Sequence, residues 1–178
     1  MATKSRFYRP SQVVEVFVDI RVQAEDFSVA DEYLALRQRM PGNTGAVASF
    51  AGLVRDAGPA ADIRVAEVQT LYLEHYPGMT ERSIGDIVKQ AAERWPLNDV
   101  VVIHRVGELA PLAQIVFVQV ASGHRSAAFA ACTFIMDYLK TAAIFWKRED
   151  TAAGRRWVEV TDEDRERASA WETKESDR

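Results

Sequence analysis

The sequence predicts a two-layer α/β or α+β fold, in which helices pack on a mixed or antiparallel sheet. Segments rich in β-branched residues alternate with segments whose apolar residues recur every three or four positions. The 178 residues, 48% of them hydrophobic, suffice for one globular domain with a substantial core. We expect that domain at 13–172, between a flexible lead at 1–12 and a frayed tail at 173–178.

The first strand and helix are predicted near the N-terminus. Residues 13–22 are rich in valine and partly alternating, which is typical of a strand. Ser28 is a suitable cap for a helix that runs to about Met40. Pro41-Gly42-Asn43 then ends the helix, because proline and glycine do not continue it.

Two further strands are predicted before residue 77. Residues 45–54 form a strand of mostly small residues that places Arg55 at its end. The composition of 56–61 indicates a loop, and 63–76 is again extended. Pro77-Gly78 turns the chain at the end of this strand.

A helix and a hairpin occupy the middle of the chain. Residues 79–95 place their apolar side chains on one stripe, and Pro96 ends this helix. Residues 99–106 and 114–121 are β-branched runs joined by a turn at 107–111, so they are expected to form a hairpin.

The last predicted elements follow Ser122-Gly123, which is a strand-to-helix junction. A helix begins at about Arg125, so its free amide groups and positive dipole end lie beside His124 and Arg125. An anion can bind at such a position. A short strand at 156–160 and a charged helix at 162–171 complete the chain.

Two lysines lie seven positions apart in one apolar stretch. If the helix continued from Lys140 to Lys147, both ammonium groups would lie on one face, about 10 Å apart along the axis. Partly buried lysines are suited to nucleophilic or acid/base work, whereas arginine binds phosphate and carboxylate in a bidentate manner. The alternative is a solvated helix face with lysines that extend into water.

Composition excludes several functional classes. A formal net charge of -4 argues against a general nucleic-acid binder. The three histidines show no zinc-ligand spacing, and neither a phosphate-binding loop nor a dinucleotide fingerprint occurs, so no metal or cofactor is expected. The lone Cys132 is expected to be a small buried hydrophobe. No apolar run reaches membrane-spanning length and no signal-type segment is seen, which predicts a cytoplasmic protein.

Several separated motifs occur in the same order as in a known family. Together they resemble the large, catalytic subunit of molybdopterin synthase, over roughly residues 27 to 171. The chain departs from the usual pattern at Leu53, where a basic residue is common, and at Ile144, where proline is common. The motifs are Leu73–Glu81, Val102–Leu109, His124-Arg125-Ser126, and Asp137–Lys140 with Phe145–Glu149.

The resemblance implies an α/β hammerhead-type fold and a homodimer. It also implies a small ubiquitin-like sulfur-carrier subunit docked at each far end, giving a heterotetramer. The carrier's C-terminal Gly-Gly thiocarboxylate would enter a pocket and donate sulfur to cyclic pyranopterin monophosphate. Two such donations would form the dithiolene of molybdopterin, so the sulfur does not come from Cys132.

The resemblance further implies seven site residues. Lys140 matches an essential lysine beside the carrier's C-terminus, and Lys147 matches a second functional lysine of the substrate pocket. The residues implied in substrate binding are Arg55 in the pocket, His124 and Arg125 from across the dimer interface, and Phe50 and Met136 on the pterin side.

Two other functional classes remain open on sequence grounds. The chain is alternatively a non-catalytic phosphate- or nucleotide-binding module, or a scaffold for a ubiquitin-like partner. A binding module has no need of two pocket lysines, and a scaffold has no need of His124 and Arg125. His104, within a predicted strand, is expected to be a structural histidine.

Overall fold

A computed structural model describes residues 2–7, 16–55, 68–151 and 154–173. Two sheets and four helices make up this part of the chain. In chain order the elements are β1 (Ala2–Phe7), β2 (Val16–Gln23), α1 (Val29–Arg39), β3 (Ala46–Leu53), β4 (Val68–His75), α2 (Met79–Arg94), β5 (Leu97–Arg105), β6 (Gly107–Leu109), β7 (Gln114–Ser122), α3 (Arg125–Thr141), β8 (Phe145–Thr151), β9 (Gly154–Val158) and α4 (Asp162–Thr173).

The first sheet has five strands in the order β1-β2-β5-β7-β3. β2 and β5 are parallel, and the other neighbours are antiparallel, so the sheet is mixed. β5 and β7 pair antiparallel, which confirms the predicted hairpin. β3 lies at one edge and ends at Leu53, next to the cavity described below.

The second sheet has four antiparallel strands in the order β6-β4-β8-β9. Its register places Leu73 of β4 opposite Lys147 of β8, and Lys147 opposite Val158 of β9. Lys147 is therefore on an inner strand, with a neighbouring strand on each side.

Helices α2 and α3 pack on one face of the first sheet and form the main core. Val18, Val102 and Val118 from three strands are fully buried there. The apolar stripe predicted for α2 is confirmed, since Ile84 and Ala91 are completely buried. A mixed sheet covered by helices agrees with the predicted fold class.

Helix α1 covers part of the opposite face. Phe27 and Phe117 pack there with their ring centroids 5.7 Å apart. Arg39, the last residue of α1, donates two hydrogen bonds to the buried Asp99 carboxylate of β5, at 2.7 and 3.0 Å. α1 is therefore fixed to the sheet by a bidentate ion pair as well as by apolar contacts.

The start of β3 approaches the junction between β7 and α3 closely. A Cβ atom at Gly45 would lie 2.5 Å from the carbonyl oxygen of Gly123, so only glycine fits there without a shift of the backbone. The Gly45 N–H donates to the Ser122 carbonyl at 3.0 Å. This contact aligns β3 with the beginning of α3.

Helix α4 packs on α3 through aromatic contacts. The Trp171 ring lies 5.7 Å from Trp95 and 5.6 Å from Phe134 between centroids, both in edge-to-face arrangement. The Trp171 indole N–H also donates to Asp137 at 2.8 Å. The charged C-terminal helix predicted from the sequence is thus attached to the body of the protein.

Several features differ from the sequence-based expectations. Residues 2–7, expected within a flexible lead, form β1, because their backbone pairs with the outer edge of β2. The helix does not continue to Lys147: it ends at Thr141, because the backbone of 145–151 pairs with β4 instead. The short strand β6 and the strand β8 were not predicted.

Several predicted segments lie outside the described residues. These are positions 1 and 8–12 of the lead, the beginning of the first strand at 13–15, the 56–61 loop, the first part of the extended segment at 63–67, and the end of the tail at 174–178.

Candidate functional site

A cavity of about 440 Å³ lies where the end of β3, the end of α3 and strand β8 meet. Its wall is mostly apolar, with a small set of cationic side chains, as is common in small-molecule sites. Five of the seven site residues implied by the sequence line it: Phe50, Arg55, Met136, Lys140 and Lys147.

The two lysines meet through a turn rather than along one helix. Lys140 lies in the last turn of α3, and Lys147 follows on β8. Helix α2 holds the intervening turn, since Ser83 donates to the Ala142 carbonyl at 2.9 Å and Thr80 donates to the Ile144 carbonyl at 3.0 Å. The helix ends before Lys147, so the condition for a shared helix face is not met, but both lysines line the same cavity.

Lys147 is the more sheltered of the two lysines. Burial lowers the pKa of its ammonium group, and the nearby charge of Lys140 lowers it further. The carboxylate of Asp164 acts in the opposite direction. Lys147 is thereby closer to releasing its proton than an ordinary surface lysine, which favours a role in proton exchange.

Lys140 is more accessible and has an acidic partner. Its side chain is 39% exposed, and its Nζ donates to Asp164 Oδ1 at 3.1 Å. Asp164 belongs to α4, so the C-terminal helix contributes to the surroundings of the cavity. The two lysines therefore differ in environment: one is paired with a carboxylate, and the other is desolvated.

His104 of β5 also lines the cavity. Burial lowers its pKa to about 4, although its hydrogen bond to the Arg105 carbonyl, at 2.8 Å, acts to raise it. The ring stacks on Phe145 with centroids 3.9 Å apart. His104 is neutral at pH 7, and its packing agrees with the expected structural role, while its position also makes it part of the wall.

A second cavity of about 360 Å³ adjoins the first. Both are lined by Phe50, Met136 and Lys140, so Lys140 borders the two spaces. Cys132 lines the second cavity, and burial raises the pKa of its thiol to about 11. A thiol of that kind is protonated at neutral pH, which agrees with the predicted role as a small hydrophobe.

His124 and Arg125 do not line either cavity of their own chain. Both are exposed at the start of α3, and His124 precedes Lys140 by sixteen residues, or about 24 Å along the helix axis. The His124 N–H donates to Ser122 Oγ at 3.3 Å, which fixes the backbone at this junction. A single chain therefore does not bring these two residues to the lysine pair.

Two acidic residues near the lysines were missed in the sequence. Glu149 lines the larger cavity and pairs with Arg156 at 2.7 Å. A strand assignment for 145–151 would have indicated it, because Glu149 lies two positions after Lys147 on the same strand face. No sequence pattern links Asp164 to Lys140, since their contact is tertiary.

The part of the chain that the structure describes contains neither a helix suited to spanning a membrane nor a cluster of metal-ligating side chains. No helix there is long and apolar enough to cross a membrane. No group of three histidine, cysteine, aspartate or glutamate side chains is arranged to hold a metal ion within the same residues.

Known proteins are similar to this chain in sequence and in fold. The family model described as MoaE protein matches residues 22–142. The molybdopterin synthase catalytic subunit of Ralstonia nicotianae is 57% identical over 146 residues, covering 81% of this chain and 80% of that protein. The same subunit of Vibrio cholerae is 53% identical over 153 residues, covering 86% and 97%.

A solved structure agrees with these sequence matches. The molybdopterin biosynthesis MoaE protein from Burkholderia ambifaria superposes with a TM-score of 0.71 at 46% identity, covering 85% of this chain and 96% of that one. The match spans most of both chains. The chain therefore belongs to the MoaE family of molybdopterin synthase catalytic subunits.

Proposed function

We propose that the cavity between Lys140 and Lys147 is the place where this chain catalyses sulfur transfer in molybdopterin formation. The sulfur donor is the C-terminal thiocarboxylate of a small ubiquitin-like carrier subunit, and the acceptor is cyclic pyranopterin monophosphate. The observation that carries this assignment is one cavity lined by two lysines of unlike environment, in a chain of the MoaE family. We propose that the reaction takes place in the cytoplasm, as the sequence predicts.

The lysine pair suits both partners of the reaction. A thiocarboxylate is an anion, so the accessible ammonium of Lys140 attracts it and polarises its carbonyl group during transfer. Lys147, whose pKa is lowered by burial, exchanges protons as the substrate rearranges and balances charge as its cyclic phosphate opens.

The substrate's phosphate requires additional cationic groups. Arg55 at the end of β3 is available within the same cavity. His124 and Arg125 are exposed at the start of α3, where the free amide groups and the helix dipole favour an anion. In the proposed homodimer they reach the cavity of the partner subunit, and Phe50 and Met136 contact the pterin.

The test is turnover in vitro with a thiocarboxylated carrier and cyclic pyranopterin monophosphate, followed by dithiolene formation. We expect Lys140→Ala to lower the rate about 10²-fold or more, because it removes the charged group beside the reacting acyl carbon. Lys89→Ala is the matched control, since Lys89 is exposed on α2 and lines neither lysine-bordered cavity. Normal turnover by Lys140→Ala would contradict the assignment of Lys140.

The same assay separates the enzyme from the other two classes of function. A binding module or a scaffold would bind its partner but form no dithiolene with the wild-type chain. A Lys140→Ala protein that retains carrier binding, measured by calorimetry, but loses turnover would exclude both. Carrier binding without product from the wild type would favour the scaffold.

A further inference from the structure

Asp164 brings a carboxylate from helix α4 to the lysine cavity. Its Oδ1 accepts a hydrogen bond from Lys140 Nζ at 3.1 Å, and its side chain is only 19% exposed. Asp164 follows Lys140 by twenty-four positions in the sequence. The contact therefore depends on the docking of α4 rather than on local chain geometry.

The second carboxylate oxygen is also engaged. Thr161 Oγ1 donates to Asp164 Oδ2 at 2.8 Å, and the Asp164 backbone N–H donates back to Thr161 Oγ1 at 3.2 Å. This reciprocal pair lies at the start of α4 and restrains the rotamer of Asp164. A restrained carboxylate fixes its ammonium partner more firmly than a mobile surface group does.

Helix α4 itself is held close to Lys140. The indole N–H of Trp171 donates to Asp137, which precedes Lys140 by three residues on α3. Edge-to-face contacts of Trp171 with Trp95 and Phe134 add apolar packing near the C-terminal end of α4. Contacts within α4 and contacts between α4 and α3 therefore both fix the position of Asp164.

The charges around Asp164 favour its ionised form. Burial acts to raise its pKa, but hydrogen bonds from Thr161 and Lys140 and the charges of both lysines lower the pKa overall. The same carboxylate opposes the lowering of the Lys147 pKa. The Asp164 carboxylate thus acts on both lysines: it accepts a hydrogen bond from Lys140 and interacts with Lys147 through its charge.

We propose that Asp164 is a positioning residue for sulfur transfer: it fixes the Lys140 ammonium at the border of the two cavities and offsets the repulsion between the two lysines. This inference rests on the proposed function of the cavity. Without Asp164, Lys140 loses its fixed position, and both lysines lose a neighbouring negative charge. The other charged or titratable groups that line the two cavities are His104 on β5, Cys132 and Asp137 on α3, Glu149 on β8, Arg167 on α4 and Arg55 after β3.

Asp164→Asn is the informative variant. Asparagine keeps the size and an acceptor oxygen for Thr161, and removes the negative charge. Asp162→Asn is the matched control, because it removes the same charge from the same helical turn at a side chain that is 91% exposed and paired with Arg165. Both variants change the helix dipole interaction alike, so a difference between them reports the contact with Lys140.

We expect Asp164→Asn to lower kcat about tenfold while the KM values for carrier and precursor change less than about twofold. The basic limb of the pH–rate profile should move to lower pH, because Lys147 loses the nearby negative charge that acts to raise its pKa. Asp164→Glu should recover part of kcat. Kinetics like those of Asp162→Asn, with an unmoved pH profile, would overturn the proposal.

A second measurement does not depend on turnover. Lysine side chains labelled with ¹³C at Cε can be titrated by NMR in the full-length chain without carrier. We expect Asp164→Asn to lower the Lys147 pKa relative to both wild type and Asp162→Asn, and an unchanged titration would refute the proposal. If the wild type forms no product, the proposed function fails, and this titration still decides whether Asp164 acts on the pair.

Discussion

At the residue scale, the environment of each lysine matters more than their number. Lys147 is desolvated on an inner strand, whereas Lys140 is accessible and paired with Asp164. A desolvated ammonium releases its proton more readily than a solvated one, whereas a hydrogen-bonded ammonium is fixed in position. The cavity therefore combines a desolvated lysine with a carboxylate-bound one, and the proposed sulfur transfer assigns proton exchange to the first and electrostatic stabilisation to the second.

His104 gives a prediction about pH and stability. Its folded-state pKa of about 4 lies below the value of 6.5 expected in the unfolded chain. The unfolded chain therefore binds more protons in this window, and the free energy of unfolding falls as pH falls from about 6.5 to 4, by up to about 3 kcal/mol. Urea unfolding of wild type and His104→Gln across this range should show a shallower pH dependence for the variant.

The control for this prediction is Val102→Ala. Val102 is completely buried on the same strand as His104 and carries no titratable group. We expect it to lower stability at every pH without changing the wild-type pH dependence. Equal slopes for wild type and His104→Gln would show that the His104 imidazole is not kept neutral by burial.

At the element scale, single polar contacts decide where two helices sit. Asp164 links α4 to the end of α3, and Asp99 links β5 to the end of α1. The second contact is more buried, since Asp99 is only 1% exposed. Burial raises the Asp99 pKa even though Arg39 acts to lower it, so the carboxylate depends on its partner to remain charged.

We expect Arg39→Ala to destabilise the protein by about 3–5 kcal/mol, because it leaves a buried carboxylate without its bidentate partner. The loss also removes the guanidinium that lies 4.4 Å from the centroid of the Phe17 ring. Chemical denaturation measures the effect, and Arg37→Ala on the exposed side of the same helix is the control.

A double variant tests whether the unpaired Asp99 carboxylate causes the loss of stability in Arg39→Ala. Replacing both partners, in Arg39→Met with Asp99→Leu, removes the buried charge together with its partner. This protein should be more stable than Arg39→Ala, since replacing a whole buried pair by apolar residues is often nearly neutral. If Arg39→Ala costs less than about 1 kcal/mol, the ion pair does not hold α1 on the sheet.

At the scale of the whole molecule, one chain supplies an incomplete set of the implied site residues. Arg55, Lys140 and Lys147 share a cavity, while His124 and Arg125 are exposed at the opposite end of α3. A rigid helix cannot bring its two ends to one ligand. The proposed roles of His124 and Arg125 therefore require a second copy of the chain, arranged so that each α3 start faces the partner's cavity.

Mixed dimers test this arrangement. We expect Lys140→Ala and the double variant His124→Ala/Arg125→Ala each to be inactive alone, and to regain about a quarter of wild-type activity when unfolded together and refolded as an equal mixture. Half of the random dimers are mixed, and in each of these one of the two cavities has every residue. Dithiolene formation measures the recovery.

Separately refolded proteins mixed without subunit exchange serve as the control and should remain inactive. If the co-refolded mixture also stayed inactive while mixed dimers were detected by mass spectrometry, the residues would act within one chain. That result would contradict the shared site.

Much of the molecule could be predicted from the sequence, because periodic patterns report local structure. The stripe of α2, the hairpin of β5 and β7, and the start of α3 at Arg125 were all confirmed. The motifs around Lys140 and Lys147 identified the family, and five implied residues do line one cavity. These features depend on residues that are near one another in sequence or on motifs that keep their order.

Only the tertiary structure decided how the lysines meet and what surrounds them. The apolar stretch after Lys140 is compatible with helix or strand, and its pairing with β4 made it β8. The contact of Asp164 with Lys140 and the burial of Lys147 arise from elements distant in sequence. Hydrophobic periodicity determines which face of an element is buried, but the partner of that face depends on packing of the whole chain.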